Sequence, residues 1–497
     1  MRKHFGVITV LSCSLFSMSS FAADLYVSSS NAKATDATTN KGTDPNVPLK
    51  TIQRAAALAT AGTTVHVAAG TYNVSAPALG SAGIQSRNSG TPSAHIRFVS
   101  DPKNRAKIVM SGTGIAWNST GSYVDIDGFE ITGSGRLGIL AQGAHLTITN
   151  NYVHDLTASG GCNGSGGGGI DTPNTVGDVL IAGNIVRNIG YSFIGTCNTI
   201  QGIYIASPNN VVINNIASGT VVGIHQWHGA TASAIINNTV FHCKEGILIG
   251  EGDAGALPNG SENNYVANNI VYDNTTYGII EYGKVGANNR YVNNLVYKSG
   301  TNVKMQTGSV SGTISQDPMF VKYEIDGSGD YHLQPSSPAI GKGTLTSAPP
   351  TDIEGKSRGS SIDLGAYEYS STAPSPTPSP TPSPSPTSTA TPAPVVSLSS
   401  SSLSFGSVKV GYVSTAKTLT IKNSGTASLK FTSGFVFSSG FSGSGNCYTS
   451  VPLAPGASCY VNVKFKPSYV GSVTGSLKIY TNASSSAKSV PLYGSGY

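Results

Sequence analysis

The feature that most constrains this chain is a repeated phrase. A polar pair followed by an apolar pair appears as NNYV at 150, NNIA at 214, NNTV at 237, NNIV at 268 and NNLV at 293. GNIV at 183 and DGFE at 127 occupy the same slot. Counted on the second polar residue, the marks are Gly128, Asn151, Asn184, Asn215, Asn238, Asn269 and Asn294, with steps of 23, 33, 31, 23, 31 and 25 residues. Gly-Ile pairs run in phase, as GIL at 138, GID at 169, GIY at 202, GIH at 223, GIL at 246 and GII at 278. A repeat this short, with β-branched triplets and Gly turns, is one coil of a solenoid and predicts a parallel β-helix. Aligned Asn residues make side-chain ladders and tolerate left-handed turn geometry. Leucine-rich repeats would need their Leu spacing, and propeller blades would be longer and more uniform.

The ends fit a solenoid that must hide an open core. In PLKTIQRAAALATA at 48–61, Leu49, Ile52, Ala56 and Ala59 fall at helical spacing after a Pro, which predicts a capping helix. TTVHVAAGTY at 63–72 alternates as a first strand.

Residues 1–23 read as a signal peptide. Arg2 and Lys3 are basic, Phe5 to Phe16 is apolar, and Phe21-Ala22-Ala23 precedes Asp24. Cys13 sits where a lipoprotein cysteine can, but the apolar run continues past it. Nothing later is long enough to span a membrane. Residues 371–394, STAPSPTPSPTPSPSPTSTATPAP, read as an extended Pro/Ser/Thr linker between a large domain, 24–370, and a small one, 395–497. Only 11% of residues are charged, the net charge is +6, and the basic residues are scattered. That argues against nucleic acid, which wants a clustered basic face, and is compatible with an acidic polysaccharide as partner. Cys447 and Cys459 are expected to pair, Cys162 and Cys197 to bridge two long loops, and Cys243 to be left over.

The stretch YVSSS…GTDPNVPLKTIQRAAALATAGTTVHVAAGTY resembles the start of pectate-lyase-like right-handed β-helix proteins, family nine polysaccharide lyases among them. Residues 316–369 resemble the closing segment of exported bacterial β-helix proteins. The last domain, with LSFGSVKVG, KTLTIKNSG, SCYVNVKFKP and GSLKIYT, resembles immunoglobulin-like β-sandwich modules of bacterial secreted proteins. The expected architecture is thus all-β: a single-stranded parallel β-helix with an N-terminal capping helix, then an immunoglobulin-like sandwich that binds glycan or anchors to a cell surface. Family nine lyases use Ca²⁺ held by clustered aspartates and a lysine base. The matching stretch here, GGGGID at 166–171, keeps only Asp171, and no lysine enters the outward column before Lys304.

Successive coils lie ~4.8 Å apart and side chains alternate in and out. With each Gly-Ile isoleucine inward, the next residues form an outward column: Ala116, Leu140, Asp171, Tyr204, His225, Leu248, Ile280 and Lys304. Two positions along lie Pro173, Ala206, Trp227, Gly250 and Tyr282. Breaking a uronate polymer by β-elimination needs a base at C5, an acid for the leaving oxygen and a neutraliser for the carboxylate. His225 is the expected base, Tyr204 the proton donor, and Asp171 an orienting or cation-binding group. Trp227, His228 and Tyr282 are the expected substrate contacts on this face, with His228 at the strand end, and Arg187 is the expected contact on the neighbouring face. Glu251 and Asp253, in GILIGEGDAG, are the candidate Ca²⁺ ligands. As a hydrolase pair, Asp171 and Glu251 stand three coils apart, roughly 14 Å, beyond the reach of inverting carboxylates. The sequence therefore predicts an exported, monomeric polysaccharide lyase. A hydrolase, a C5 epimerase and a non-catalytic glycan-binding adhesin remain alternatives on the same fold.

Overall fold

A computed structural model describes residues 24–162, 166–173, 177–193, 197–252 and 257–369, and, beyond them, 394–400, 402–425, 427–432, 435–447, 453–454, 457–483 and 488–497. The expected signal peptide, nearly all of the expected linker, and Asp253 lie outside these residues. The chain forms two compact units, divided between Ser375 and Pro376. No described helix is long and apolar enough to cross a membrane.

The first unit is a parallel β-helix. One nine-stranded sheet carries a strand from each coil, in the order Ala82–Ser86, Ile115–Ser119, Leu137–Ala141, Gly167–Thr172, Ile200–Ile205, Val222–Gln226, Glu245–Glu251, Tyr277–Gly283 and Thr301–Lys304. The rest of each coil, such as Leu180–Ala182 and Ile185–Arg187, joins an 18-stranded sheet. The Gly-Ile pairs explain how the two sheets close on each other. Ile139, Ile170, Ile203, Ile224, Ile247 and Ile279 stack inward and are buried. A side chain on Gly138, Gly169, Gly223, Gly246 or Gly278 would collide with the Cγ1 of Val153, Val186, Val240, Val271 or Val296 respectively, each on the facing strand. The glycine lets the sheets approach, and the isoleucine beside it fills the core.

The Asn pairs have divided roles. The first member takes the left-handed conformation, as at Asn150 (φ 57°), Asn214 (54°), Asn237 (55°), Asn268 (57°) and Asn293 (51°), and Gly183 does the same at 67°. The second member builds a buried ladder. The Oδ1 of Asn238 accepts both the backbone N–H (2.9 Å) and the side-chain Nδ2–H (3.0 Å) of Asn215. Asn238 passes the same pair on to Asn269 at 2.8 and 3.0 Å. The pattern runs from Asn151 through Asn184 to Asn294. Buried amides that would otherwise be costly are thereby satisfied at every turn.

A helix, Ile52–Leu58, capped by Thr51, covers the N-terminal end, and Leu49, Ile52, Ala56 and Ala59 are all buried. The strand at 64–76 is not the first. Leu25–Val27 precedes it and pairs with it in parallel, Leu25 beside Val65. The register also slips at one coil: Leu140 pairs with Asn118, not Ala116. Trp117 takes the inward isoleucine slot there, because the Gly-Ile pair at 114–115 lies two residues before the aligned position.

Residues 316–369 run along the flank of the solenoid. Phe320, Tyr331, Leu333, Leu364 and Ala366 pack on Phe241, Ile270 and Leu295. The left-handed asparagines hold the segment. Asn214 donates to the Thr351 carbonyl at 2.7 Å, Asn237 to that of Asp363 at 2.8 Å and Asn293 to that of Lys342 at 2.7 Å. Buried Arg358 ties it down through Glu368 and the Asn214 side-chain oxygen, both at 2.9 Å.

The second unit holds two four-stranded sheets. One runs Val396–Leu398, Lys417–Asn423, Ser458–Phe465, Phe441–Gly445, and the other Leu403–Val408, Lys488–Gly496, Gly471–Ile479, Val436–Phe437. Leu419, Ile421, Val461 and Val463 from the first meet Leu477, Ile479, Val490 and Leu492 from the second in one core. Pairing is antiparallel except between Leu403–Val408 and Lys488–Gly496. Both expected disulfides are formed, Cys162–Cys197 and Cys447–Cys459, and Cys243 is buried and free.

Candidate active site

The nine-stranded sheet sets the outward column in the predicted order. Leu140 pairs with Asp171, Asp171 with Tyr204, Tyr204 with His225, and His225 with Leu248. Asp171, Tyr204, His225, Trp227 and His228 line one groove of ≈ 660 Å³. The Tyr204 ring lies 5.1 Å from His225 and 5.9 Å from His228, edge-on to both. His225 lies 5.4 Å from Trp227, and Trp227 stacks on Tyr282 at 6.1 Å and 22°. The indole rests on a bed without side chains: a Cβ on Gly250, Gly252 or Gly283 would press into it. Tyr282 is 53% exposed and extends this aromatic surface past the groove.

Asp171 is recessed in the groove against the backbone of Gly168. The four-glycine run before it now has a reason, since a side chain on Gly168 would occupy the place of the Asp171 Oδ1. That oxygen is buried and has no hydrogen-bond partner. Burial pushes the carboxyl up to about 7, against the pull of the Arg136 guanidinium. A carboxyl near 7 is poised to exchange a proton at neutral pH.

His225 is not placed as expected for a base. It is 4% exposed. Burial, and then the neighbouring His228, push its pKa down to about 3. Its Nδ1 faces the Gln201 amide nitrogen at 3.2 Å, while its Nε2 is buried with no partner. A ring that binds a proton so weakly is a poor acceptor for a C–H proton near neutrality. The reason is burial under Gln201 and the aromatic rings, which column position alone does not reveal.

The other predicted residues divide. Arg187 lies on the 18-stranded sheet, over the Tyr152 ring at 5.1 Å and 3.4 Å from the Asp326 carbonyl, and is not in the groove. Glu251 is buried and its Oε2 accepts the Leu257 N–H at 3.1 Å. Among the described residues no three His, Cys, Asp or Glu stand close enough to share a metal ion. Asp171 is the one carboxylate among the described groove residues, and Arg136 exerts its charge on it. Asp253, the other candidate Ca²⁺ ligand, lies outside the described residues.

Two groove residues escaped the column reading. Gln201, three residues before Tyr204, pairs with Gly168 and Val222, and the signal was IQGIYI beside GGGGID. Arg136 precedes the strand Leu137–Ala141 and was visible only as the residue entering a coil.

Among solved structures, the first unit is similar to the pectate lyase Pel9A, with 19% identity, TM-score 0.51, and coverage of 71% of this chain and 97% of that one. The fold is that of the pectate-lyase-like β-helix. A rhamnogalacturonan lyase also matches, at 15% identity and TM-score 0.43 over 61% of this chain and 91% of its own. So does an alginate lyase from Paenibacillus sp. str. FPU-7, at 17% and 0.39 over 53% and 93%. At 19% identity the likeness to Pel9A carries the fold and no activity. Residues 34–78 match a family described as a protein of unknown function (DUF1565), and residues 393–497 match Cep192 domain 4. No curated protein matches the sequence.

Proposed function

We propose that this protein is an exported lyase that cleaves a uronate-containing polysaccharide by β-elimination. The observation that carries the reading is Asp171, a carboxyl held near 7 with an unpartnered Oδ1 in a groove shared with Arg136 and Tyr204. Asp171 takes the proton from C5 of the uronate. The electron pair left behind forms the C4–C5 double bond as the C4–O bond breaks. Tyr204, in the next coil, gives its proton to the leaving oxygen. Arg136 sits beside the base, where it can neutralise the uronate carboxylate and so ease loss of the C5 proton. Trp227 and Tyr282 offer flat faces to sugar rings. No step needs a metal ion.

Two disulfides suit an oxidising compartment, which agrees with the signal-peptide reading of residues 1–23. The second unit presents Tyr412, Tyr460, Tyr469 and Tyr493 to solvent, and we assign it a glycan- or surface-binding role. The test is a panel of uronate polymers, followed by ultraviolet absorbance of the unsaturated product. No absorbance on any polymer overturns the lyase reading. New reducing ends without absorbance make it a hydrolase, inverted C5 without cleavage an epimerase, and binding without turnover an adhesin.

A further inference from the structure

Gln201 faces His225, a buried groove ring to which the chemistry above gives no proton transfer. Its side-chain nitrogen lies 3.2 Å from His225 Nδ1 and 3.1 Å from the Asn198 carbonyl oxygen. A carbonyl oxygen only accepts, so the second contact settles which end of the amide is nitrogen. That nitrogen carries two protons. One goes to Asn198, and the other points at Nδ1, which must offer its lone pair. A neutral imidazole with a bare Nδ1 carries its proton on Nε2. This nitrogen is buried on a groove residue and finds no partner in the protein. An N–H in that state is costly until an acceptor arrives.

We propose that Gln201 is a positioning residue that locks His225 in the Nε2–H tautomer, so that His225 meets the substrate as a neutral hydrogen-bond donor to a carboxylate or hydroxyl oxygen. The backbone supports the lock. Asn198 follows Cys197, which is bridged to Cys162, so the carbonyl that orients Gln201 belongs to a cross-linked loop. The tautomer rests on the lyase reading only for what the proton meets, not for where it sits.

The experiment is nitrogen-15 NMR of the full chain with labelled histidine at neutral pH, the His225 ring being assigned by its loss in His225→Asn. The wild type should show a protonated Nε2 and a bare Nδ1. In Gln201→Glu an acceptor replaces the donor, and the proton should move to Nδ1 or the ring become doubly protonated. On any polymer the protein cleaves, that variant should lose about tenfold or more in kcat/KM. A wild-type ring protonated on Nδ1, or averaging between tautomers, overturns the proposal, as does an unchanged ring in Gln201→Glu. If Gln201→Glu does not fold, the wild-type spectrum decides alone. The spectrum needs no substrate, so a failed lyase assay leaves the tautomer standing. An active lyase with Nδ1–H would sink the lock and not the lyase.

Discussion

The asparagine ladder and the groove column are both stacks of polar residues at one coil spacing, yet they are opposite in kind. In the ladder the same residue recurs, and each amide is satisfied by the coil above and the coil below. In the groove Asp171, Tyr204 and His225 all differ, and two polar atoms, Asp171 Oδ1 and His225 Nε2, are left without partners. Repetition lets hydrogen bonds close on themselves and stabilises the fold. Variation leaves groups buried and unmet, at a cost in stability, and those groups are what a ligand can complete.

The sharpest way to break this contrast is to remove the base. Asp171→Asn should lower kcat about 10³-fold in steady-state assays on a cleaved polymer. The same variant should not be destabilised. The folded pKa of Asp171, about 7, lies above its ordinary 3.8, so the charged form is disfavoured in the fold. That penalty is full above about pH 7 and fades as pH falls towards 4. Asp171→Asn should then unfold about 1–2 kcal/mol harder than wild type at pH 8, and no harder at pH 4, in urea titrations. Equal loss of stability at both pH values would make Asp171 a structural residue like the asparagines. In the wild type, kcat/KM should climb as pH rises through about 7 as the base loses its proton.

The ladder should show the reverse. Asn238→Ala strips partners from the backbone N–H and Nδ2 of Asn215, and should cost roughly 2–4 kcal/mol in the same titrations. Activity of the fraction still folded should stay near wild type. Smaller effects refine the groove itself. Gly168→Ala should push the Asp171 carboxylate from its niche and lower kcat about 10- to 100-fold, with the base's pH limb displaced. Trp227→Ala should raise KM about tenfold and leave kcat within a factor of a few, since a stacking face binds ground and transition states alike.

Much of the fold was legible because its information is periodic. The inward isoleucines, the left-handed first Asn, the laddered second Asn and the capping helix each follow from spacing. The register failed only at Ile115–Ser119, where Trp117 takes the isoleucine slot two residues after the Gly-Ile pair. The antiparallel pair Phe320–Lys322 and Asp330–Leu333 and the segment after it break the period, so their place along the flank was not readable from it. In the groove the column of Asp171, Tyr204 and His225 was legible for the same reason as the fold. Arg136 and Gln201 were missed because they sit off that column, and Arg187, expected on the neighbouring face, stands on a strand of the other sheet.

The sequence alone determined which residues stand together, since a repeat converts spacing into neighbourhood and a coil offset of one residue would turn an apolar face outward. Only the tertiary structure decided what those residues are chemically. Whether Asp171 holds a proton near neutrality depends on its burial and on Arg136, 35 positions back in the chain. Whether His225 is a base or a donor depends on its burial and on Gln201, 24 positions before it. Protonation is set by desolvation and by charges acting through space, and neither is written in the local order of residues.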